Sequence, residues 1–289
     1  MKVLYLLDGS AFLYRSFFAL PPLSTSDGFP TNGIYGFMKA VFALLKKEKP
    51  VYFAIAFDLP APTKRESLYK EYKAGRPPMP DTLKVQIPVI KELVDLMGIK
   101  RYEVEGYEAD DIIATLSQKA LEKGFSVKVY SPDKDILQLV SDRLVVINPI
   151  SGEVFDRKKV KEKFGVEPER LVDYLALTGD KVDNIEGVKG VGPKTCLKIL
   201  EKYHCVENIL KNWEDFSYLF PEANRESLQL ALELLKLHPV EGLDFVEKDL
   251  RLNSPNVEAL RKRFEELQMK SLLKELDSIA GTTAQKSLF

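Results

Sequence analysis

Apolar residues fall first into short unbroken runs along this chain and later into helical stripes. Lys2–Leu7 and Val51–Phe57 are near-continuous apolar segments, as in strands buried on both faces of a parallel sheet. Each runs into an acid, Asp8 and Asp58. Arg101–Val104 is a shorter strand, Ser126–Ser131 a β-rich run, and Leu144–Ile147 a last core strand before a hairpin turn at Ser151-Gly152. Between them Ile34–Lys47, Asp81–Met97 and Glu108–Lys123 carry a helical period, with Ile112, Ile113, Leu116, Ala120 and Leu121 on one stripe. A short helix is expected over Ile136–Val140. From Lys158 onward the strand signal is gone, and Pro168–Leu177, Pro193–Tyr203, Glu222–Leu237 and Asn256–Leu276 read as helices. The pattern predicts an α/β part over residues 1–165, a helical part over 166–277 and a flexible tail over 278–289.

Residues 61–79 interrupt the alternation. Lys64, Arg65, Lys70, Lys73 and Arg76 interleave there with Tyr69 and Tyr72, and Pro77-Pro78 closes the segment. On a helix, Lys70 with Lys73 and Tyr69 with Tyr72 are i,i+3 pairs, giving basic and aromatic stripes side by side. Such a helix is either a solvated face, with Glu66 and Glu71 as partners, or an element that grips phosphates and stacks on bases.

Composition narrows the chemistry. The 289 residues suffice for a large core, and 45% hydrophobic with 29% charged content is ordinary for a soluble globular protein. Lys+Arg 42 against Asp+Glu 43 gives no bulk attraction to polyanions, so only clustering of the bases could create a patch. Cys196 and Cys205 form no CxxC pair, which argues against a disulfide framework or thiolate zinc and for a reducing compartment. His204 and His238 lie far in sequence from the acids, against chemistry that needs a His base. Asp8 cuts the first apolar run short of a secretory segment, and no run approaches a membrane span, so a cytoplasmic protein is expected.

The densest chemistry lies in Tyr107–Asp135. Glu108, Asp110 and Asp111 open a helix, a strand follows, and Asp133 and Asp135 stand just past its carboxyl end, where open α/β sheets place their sites. Glu108 and Asp111 share a helix face, with Asp110 about 100° round it. Five such carboxylates cannot all stay ionised together without cations. Oxygen-only ligands suit hard divalent ions such as Mg²⁺ or Mn²⁺. Singly, acids in a first turn are favoured by the helix dipole, and Asp8 reads as an N-cap or as a ligand at the end of the first strand. Asp180 and Asp183, taken alone, read as a solvated loop. Next comes Gly187-Val-Lys-Gly190-Val-Gly192-Pro193-Lys194-Thr195, which opens a helix without any preceding strand. That excludes a dinucleotide fingerprint. A hairpin of short helices joined by GVG instead offers backbone N–H groups and two flanking lysines to a phosphate backbone.

DGSAFLYRSFFAL, YKEYKAGRPPMP, GYEADDIIATL, SPDKDILQLVSD, YLALTGDKVDNIEGVKGVGPKTCLKIL and MKSLLKEL, in this order, resemble the 5′-nuclease domain of bacterial DNA polymerase I and so the flap endonuclease family. The resemblance implies a Rossmann-like (PIN/5′-nuclease) α/β fold with a mostly parallel central sheet and a helical arch, followed by an α-helical part with a helix–three-turn–helix (helix-hairpin-helix). It implies metal-binding acids at Asp8, Glu108, Asp110, Asp111, Asp133, Asp135, Asp180 and Asp183, none replaced, holding two ions, Mg²⁺ or Mn²⁺. Arg65, Lys73 and Arg76 match catalytic arch residues, and Lys70 and Tyr72 fall beside them as DNA contacts. Lys64 departs from the aromatic residue that often precedes the arch arginine. Lys189, Gly190, Gly192, Lys194 and Thr195 match the duplex-binding turn, which in the family also takes K⁺ through backbone carbonyls. The implied activity is hydrolysis of phosphodiester bonds at 5′ ends, nicks and 5′ flaps of DNA, in primer removal and repair. The protein would act as a monomer, freestanding or a fragment, beside a separate polymerase. Two other readings are a PIN-like ribonuclease and a DNA-binding module with structural ions only. The closing QKSLF resembles the peptide by which bacterial replication proteins dock on the sliding clamp, through Gln285, Leu288 and Phe289.

Overall fold

The structure is a computed structural model and describes residues 2–286, with side chains as far as Ser278. Its centre is a six-stranded sheet in the order β3-β2-β1-β4-β5-β6. The strands are β1 (Val3–Asp8), β2 (Tyr52–Ala56), β3 (Lys100–Tyr102), β4 (Ser126–Tyr130), β5 (Leu144–Ile147) and β6 (Val154–Phe155). The first five pair in parallel, and β6 turns back antiparallel to β5 through the expected hairpin. The chain winds outward from β1 through β2 to β3, then crosses over and winds the other way through β4 and β5. The point where the winding reverses lies between β1 and β4, and the crevice at their carboxyl ends is where such sheets bind ligands.

The apolar runs are continuous because both faces are covered. Leu4, Leu6 and Ala54 face α6 (Ala109–Glu122) through Ile112, Ile113 and Leu116. Tyr5, Leu7, Phe53 and Ile55 face α1 (Gly9–Ala19), α2 (Asn32–Glu48) and α5 (Ile87–Leu96) through Phe12, Phe37, Phe42 and Ile90. The expected helix 81–97 is in fact two, α4 (Asp81–Lys84) and α5, because Pro88 has no N–H to carry the ladder across the junction. The segment 61–79 is likewise not one helix. Only α3 (Lys64–Leu68) forms, behind a Thr63 cap, and turns follow to Arg76 with Lys73 at φ 58°.

Beyond α7 (Arg157–Phe164) the chain is helical: α8 (Leu171–Thr178), α9 (Pro193–Tyr203), α10 (Val206–Lys211), α11 (Trp213–Leu219), α12 (Arg225–Leu235) and α13 (Glu247–Leu250). The expected helix 256–276 is broken into α14 (Val257–Glu266) and α15 (Lys270–Lys286) at Gln268, whose φ of 58° leaves the helical region. These two do not belong with the helical part. Leu260, Phe264, Leu272 and Leu276 pack into the α/β core beside Phe37 and Ile90, and Leu252 N donates to Val51 O at 2.9 Å along the edge of β2. The tail expected to be flexible from 278 continues α15 to Lys286, through residues that include the good helix formers Ala and Gln. The backbone of Gln285 lies within that helix, whereas Leu288 and Phe289 are outside the described residues. No helix among the described residues is long and apolar enough to cross a membrane.

Two glycines let the loop after α8 fold back on that helix. A Cβ on Gly187 would stand 2.4 Å from Gly179 N and 2.4 Å from Thr178 C, both backbone. Gly190 has open space around it but sits at φ +81°. Gly187→Ala is expected to cost about 1–3 kcal/mol by overpacking, and Gly190→Ala about 1 kcal/mol through the left-handed backbone alone. Urea unfolding of the two variants checks the ordering; an equal or reversed loss would contradict the close approach.

Candidate active site

Strand ends and helix starts deliver the acids to the β1–β4 crevice. Asp8 closes β1, and its buried carboxylate accepts from Ala11 N at 2.9 Å, capping α1, and from Ser131 Oγ at 2.8 Å. Ser131, just past β4, also receives Asp133 N at 3.0 Å, and Asp133 in turn receives Asp135 N at 3.0 Å. Glu108 caps the start of α6, with Asp110 and Asp111 in the first turn. Asp180 and Asp183 come from the loop after α8, which a two-residue bridge between Asp180 and Ile185 closes. One carboxylate oxygen from each of Asp135, Asp180 and Asp183 lies within 4.8 Å of the other two.

Crowding leaves its mark on proton affinity. Burial, helped by the charges of Asp58 and Asp133, pushes Asp8 up to about 7 despite the Ala11 N–H. Asp110 is raised well above the usual carboxylate range by burial and by Asp133 and Asp8. Burial and the charges of Asp133, Asp183 and Asp180 do the same to Asp135. Asp133 thus acts on both groups of acids, the Asp8 set and the Asp135 set. Asp135 Oδ1 is buried with no hydrogen-bond partner, an acceptor of the kind that a hard cation satisfies. The donor set, with Asp135, Asp180 and Asp183 close enough to share one ion, therefore fits divalent metal.

Cations already lie on these acids, most of them from the 61–79 segment. Lys73 Nζ is 2.8 Å from Glu108 Oε1, Arg76 pairs with Asp183, and Lys134 Nζ is 2.9 Å from Asp180 Oδ2. Burial opposes the Lys73 charge, but Glu108 and Asp183 outweigh it and hold its pKa up. The segment is pinned to the Asp180–Asn184 loop by Lys73 N to Asp183 O at 3.0 Å and Asn184 Nδ2 to Glu71 O at 2.9 Å. These contacts explain why turns replace the expected helix.

Several residues stand where the sequence did not put them. Tyr72, read as a DNA contact, is buried with its hydroxyl 3.2 Å from Glu108 Oε2 and 3.4 Å from Asp183 Oδ2, so its ring cannot stack on a base in this arrangement. Lys70 is exposed. Arg65, read as a phosphate contact, is 4% exposed and donates to Asp111 and Glu108. Asp111 is also buried and turned to that guanidinium rather than to the other acids. Lys64 meets Tyr107, its Nζ 2.6 Å from the hydroxyl and 4.1 Å from the ring centroid, so an aromatic partner comes from another segment. Asp58, noted at the end of its strand but not assigned to the site from sequence, is a neighbour of it. It lies beside Asp8, and its Oδ1 accepts Ala109 N at 2.7 Å at the start of α6. The signal is there to be read: Asp58 follows its strand as Asp8 ends its own. In the helical part, Gly192 caps α9 with Pro193 first in the helix, and Lys194 is exposed beside Thr195. Lys189 is paired with Glu222, and Gly190 completes the turn where Val191 N meets Val188 O at 3.0 Å.

A parallel sheet with acids gathered at its switch point, basic residues laid over them and a helix-capping glycine turn alongside defines an acid-centred nuclease. Residues 3–165 match the 5′-3′ exonuclease N-terminal resolvase-like domain, and residues 166–258 match the 5′-3′ exonuclease C-terminal SAM fold. The chain belongs to the 5′-3′ exonuclease family. It is 58% identical over 289 residues to a 5′-3′ exonuclease of Aquifex aeolicus, covering 100% of both chains. It is 44% identical over 277 residues to the thermostable DNA polymerase I of Thermus thermophilus, covering 93% of this chain but 32% of the polymerase. Among solved structures, the fold is similar to the bacteriophage T5 flap endonuclease in a pseudo-enzyme–product complex with DNA and metal ions (TM-score 0.68, 18% identity, 96% of this chain and 98% of that one). It is also similar to the catalytic core of Rad2 in complex with DNA substrate (TM-score 0.61, 15% identity, 92% and 86%).

The raised carboxylates set the sign of a pH effect. A carboxyl whose pKa is higher folded than unfolded binds more protons in the native state, so stability falls as pH rises between the two values. For Asp8 that window runs from 3.8 to about 7, and Asp110 and Asp135 act in the same direction. In EDTA the melting temperature contributed by this cluster should therefore drop from pH 5 to pH 8. Mg²⁺ or Asp110→Asn should lift the value at pH 8. A metal-free protein whose stability at pH 8 is unmoved by Asp110→Asn would contradict the crowding.

Proposed function

We propose that this protein is a structure-specific 5′ nuclease that hydrolyses phosphodiester bonds at 5′ ends, nicks and 5′ flaps of DNA with two divalent ions, Mg²⁺ or Mn²⁺. The observation that carries the reading is the acid set at the switch point, with the unpartnered Asp135 Oδ1 among it and the 61–79 bases laid against it. When bound, the ions supply a nucleophilic water at neutral pH and stabilise the leaving 3′-oxygen. The chain's own residues do the rest. Asp8, Glu108, Asp110 and Asp133 hold one side of the scissile phosphate site, and Asp135, Asp180 and Asp183 the other. Lys73 and Arg76 neutralise charge growing on the phosphoryl oxygens once they leave Glu108 and Asp183. Lys189, Gly190, Gly192, Lys194 and Thr195 hold the duplex backbone at the start of α9, where N–H groups point outward. K⁺ at backbone carbonyls of that turn belongs to the same reading. So does tethering to a sliding clamp by Gln285, Leu288 and Phe289, beside a separate polymerase.

A labelled 5′-flap duplex with and without Mg²⁺ tests the function. Cleavage near the junction is expected only with the ion, and Asp133→Asn should abolish it while the fold persists. No cleavage of flap, nick or 5′ end with either ion would overturn the assignment.

The two basic regions should separate kinetically. Lys73→Ala is expected to lower the single-turnover rate at saturating enzyme, by about 10²-fold for one lost transition-state contact. Lys194→Ala should leave that rate and weaken DNA binding, flattening the salt slope by about one unit. Titrations from low to high salt with rates measured at saturation distinguish the two; a Lys73→Ala effect confined to affinity would remove the residue from the chemistry.

A further inference from the structure

Arg65 and Asp111 match family positions that imply a phosphate contact and an ion ligand, yet neither side chain is free for that work. Asp111 is 2% exposed, and all four acceptor sites of its carboxylate are occupied. Oδ1 accepts Arg65 Nη2 at 2.8 Å and His238 N at 2.8 Å. Oδ2 accepts Arg65 Nη1 at 2.7 Å and Glu108 N at 3.2 Å. An ion could bind only by displacing a guanidinium or a backbone N–H, whereas Asp135 offers an unused oxygen. Arg65 is equally spent. Its Nε donates to Leu234 O at 2.8 Å, its Nη1 also reaches Glu108 Oε2 at 3.2 Å, and its Nη2 also reaches Lys236 O at 2.6 Å. Leu234 and Lys236 stand at the carboxyl end of α12, where exposed carbonyls favour a cation. A second stitch runs in parallel, from Val240 N to Thr115 Oγ1 at 2.8 Å and from that hydroxyl to Asp111 O at 2.8 Å.

We propose that Arg65 and Asp111 are a positioning pair: together they hold the Glu108 carboxylate and join it to the end of α12. The helical part that grips the duplex is thereby tied to an acid of the ion site through one buried fork. Lysine cannot replace that fork, because a point charge cannot serve two carboxylates and two carbonyls in fixed directions.

The rate readout of the test rests on the nuclease reading above, and the ion readout does not. Removing one member of a buried pair strands the other, whereas replacing both by apolar groups of similar volume is often tolerated. The informative variant is therefore the double substitution Arg65→Met with Asp111→Leu. Calorimetric Mn²⁺ titration without DNA should find as many ions as in the unsubstituted protein, weakened by about 10–100-fold as for loss of an outer partner. Asp133→Asn should lose an ion under the same conditions. At saturating Mn²⁺ the double variant should keep its flap affinity, measured in Ca²⁺, while its single-turnover rate falls about thirtyfold from a misplaced ligand. A lost ion, or a rate restored by raising Mn²⁺, would show Asp111 to be a ligand and overturn the proposal. An unchanged rate would reduce the pair to packing and overturn it equally. Should the double variant not fold, Asp111→Asn takes its place in the Mn²⁺ titration, where a full ion count supports the pair and a lost ion overturns it. If the unsubstituted protein cuts no DNA at all, the nuclease reading fails, and the ion count still decides whether Asp111 is a ligand.

Discussion

Like charge gathered at one end of a parallel sheet is the constraint to which the rest of the molecule responds. The winding of the chain brings the ends of β1 and β4 together, and with them Asp8, Asp133 and Asp135. α6 and the loop after α8 bring more acids to the same place. Without counter-charge such a cluster can only take up protons, as the raised values at Asp8, Asp110 and Asp135 show. The segment between β2 and α4 answers with Arg65, Lys73 and Arg76, and Lys134 adds a fourth cation. These pairs are poor grounds for stability, because desolvation consumes most of what the attraction returns. Their value is register: cations from two separate stretches of chain each settle on particular acids and fix how those stretches lie.

Much of this is legible in the order of residues alone. A strand buried on both faces writes itself as an unbroken apolar run, so β1 and β2 can be read almost to the residue. The acids can be read because most of them stand at a strand end or a helix start, places where backbone geometry fixes direction. What cannot be read depends on partners distant in sequence. Tyr72 looks like a stacking ring until Asp183, on a loop 111 positions away, is brought against its hydroxyl. Arg65 looks like a surface base until the end of α12 closes over it. Spacing puts Asp111 on the Glu108 face and Asp110 about 100° round it, but does not say which of them a base will occupy; the placement of Arg65 decides that. Helix breaks at Pro88 and Gln268 differ in the same way, one announced by its residue type and the other set by how α15 must turn to reach the core.

The return of the chain to the sheet has a consequence for the order in which the molecule can be assembled. Glu247 pairs with Lys2, 245 positions earlier, and α14 and α15 complete a core begun by β1 and α2. Contacts of such separation are slow to form, because the loop between them must be closed before burial rewards it. During synthesis the first 165 residues carry the whole sheet and most of the acids but lack the two helices that finish one face. They also lack Asp180, Asp183 and the carbonyls of α12 that hold Arg65. A growing chain therefore carries an incomplete acid set on an open core; the first deficit closes once Asp183 has emerged, the second only when α14 and α15 have followed.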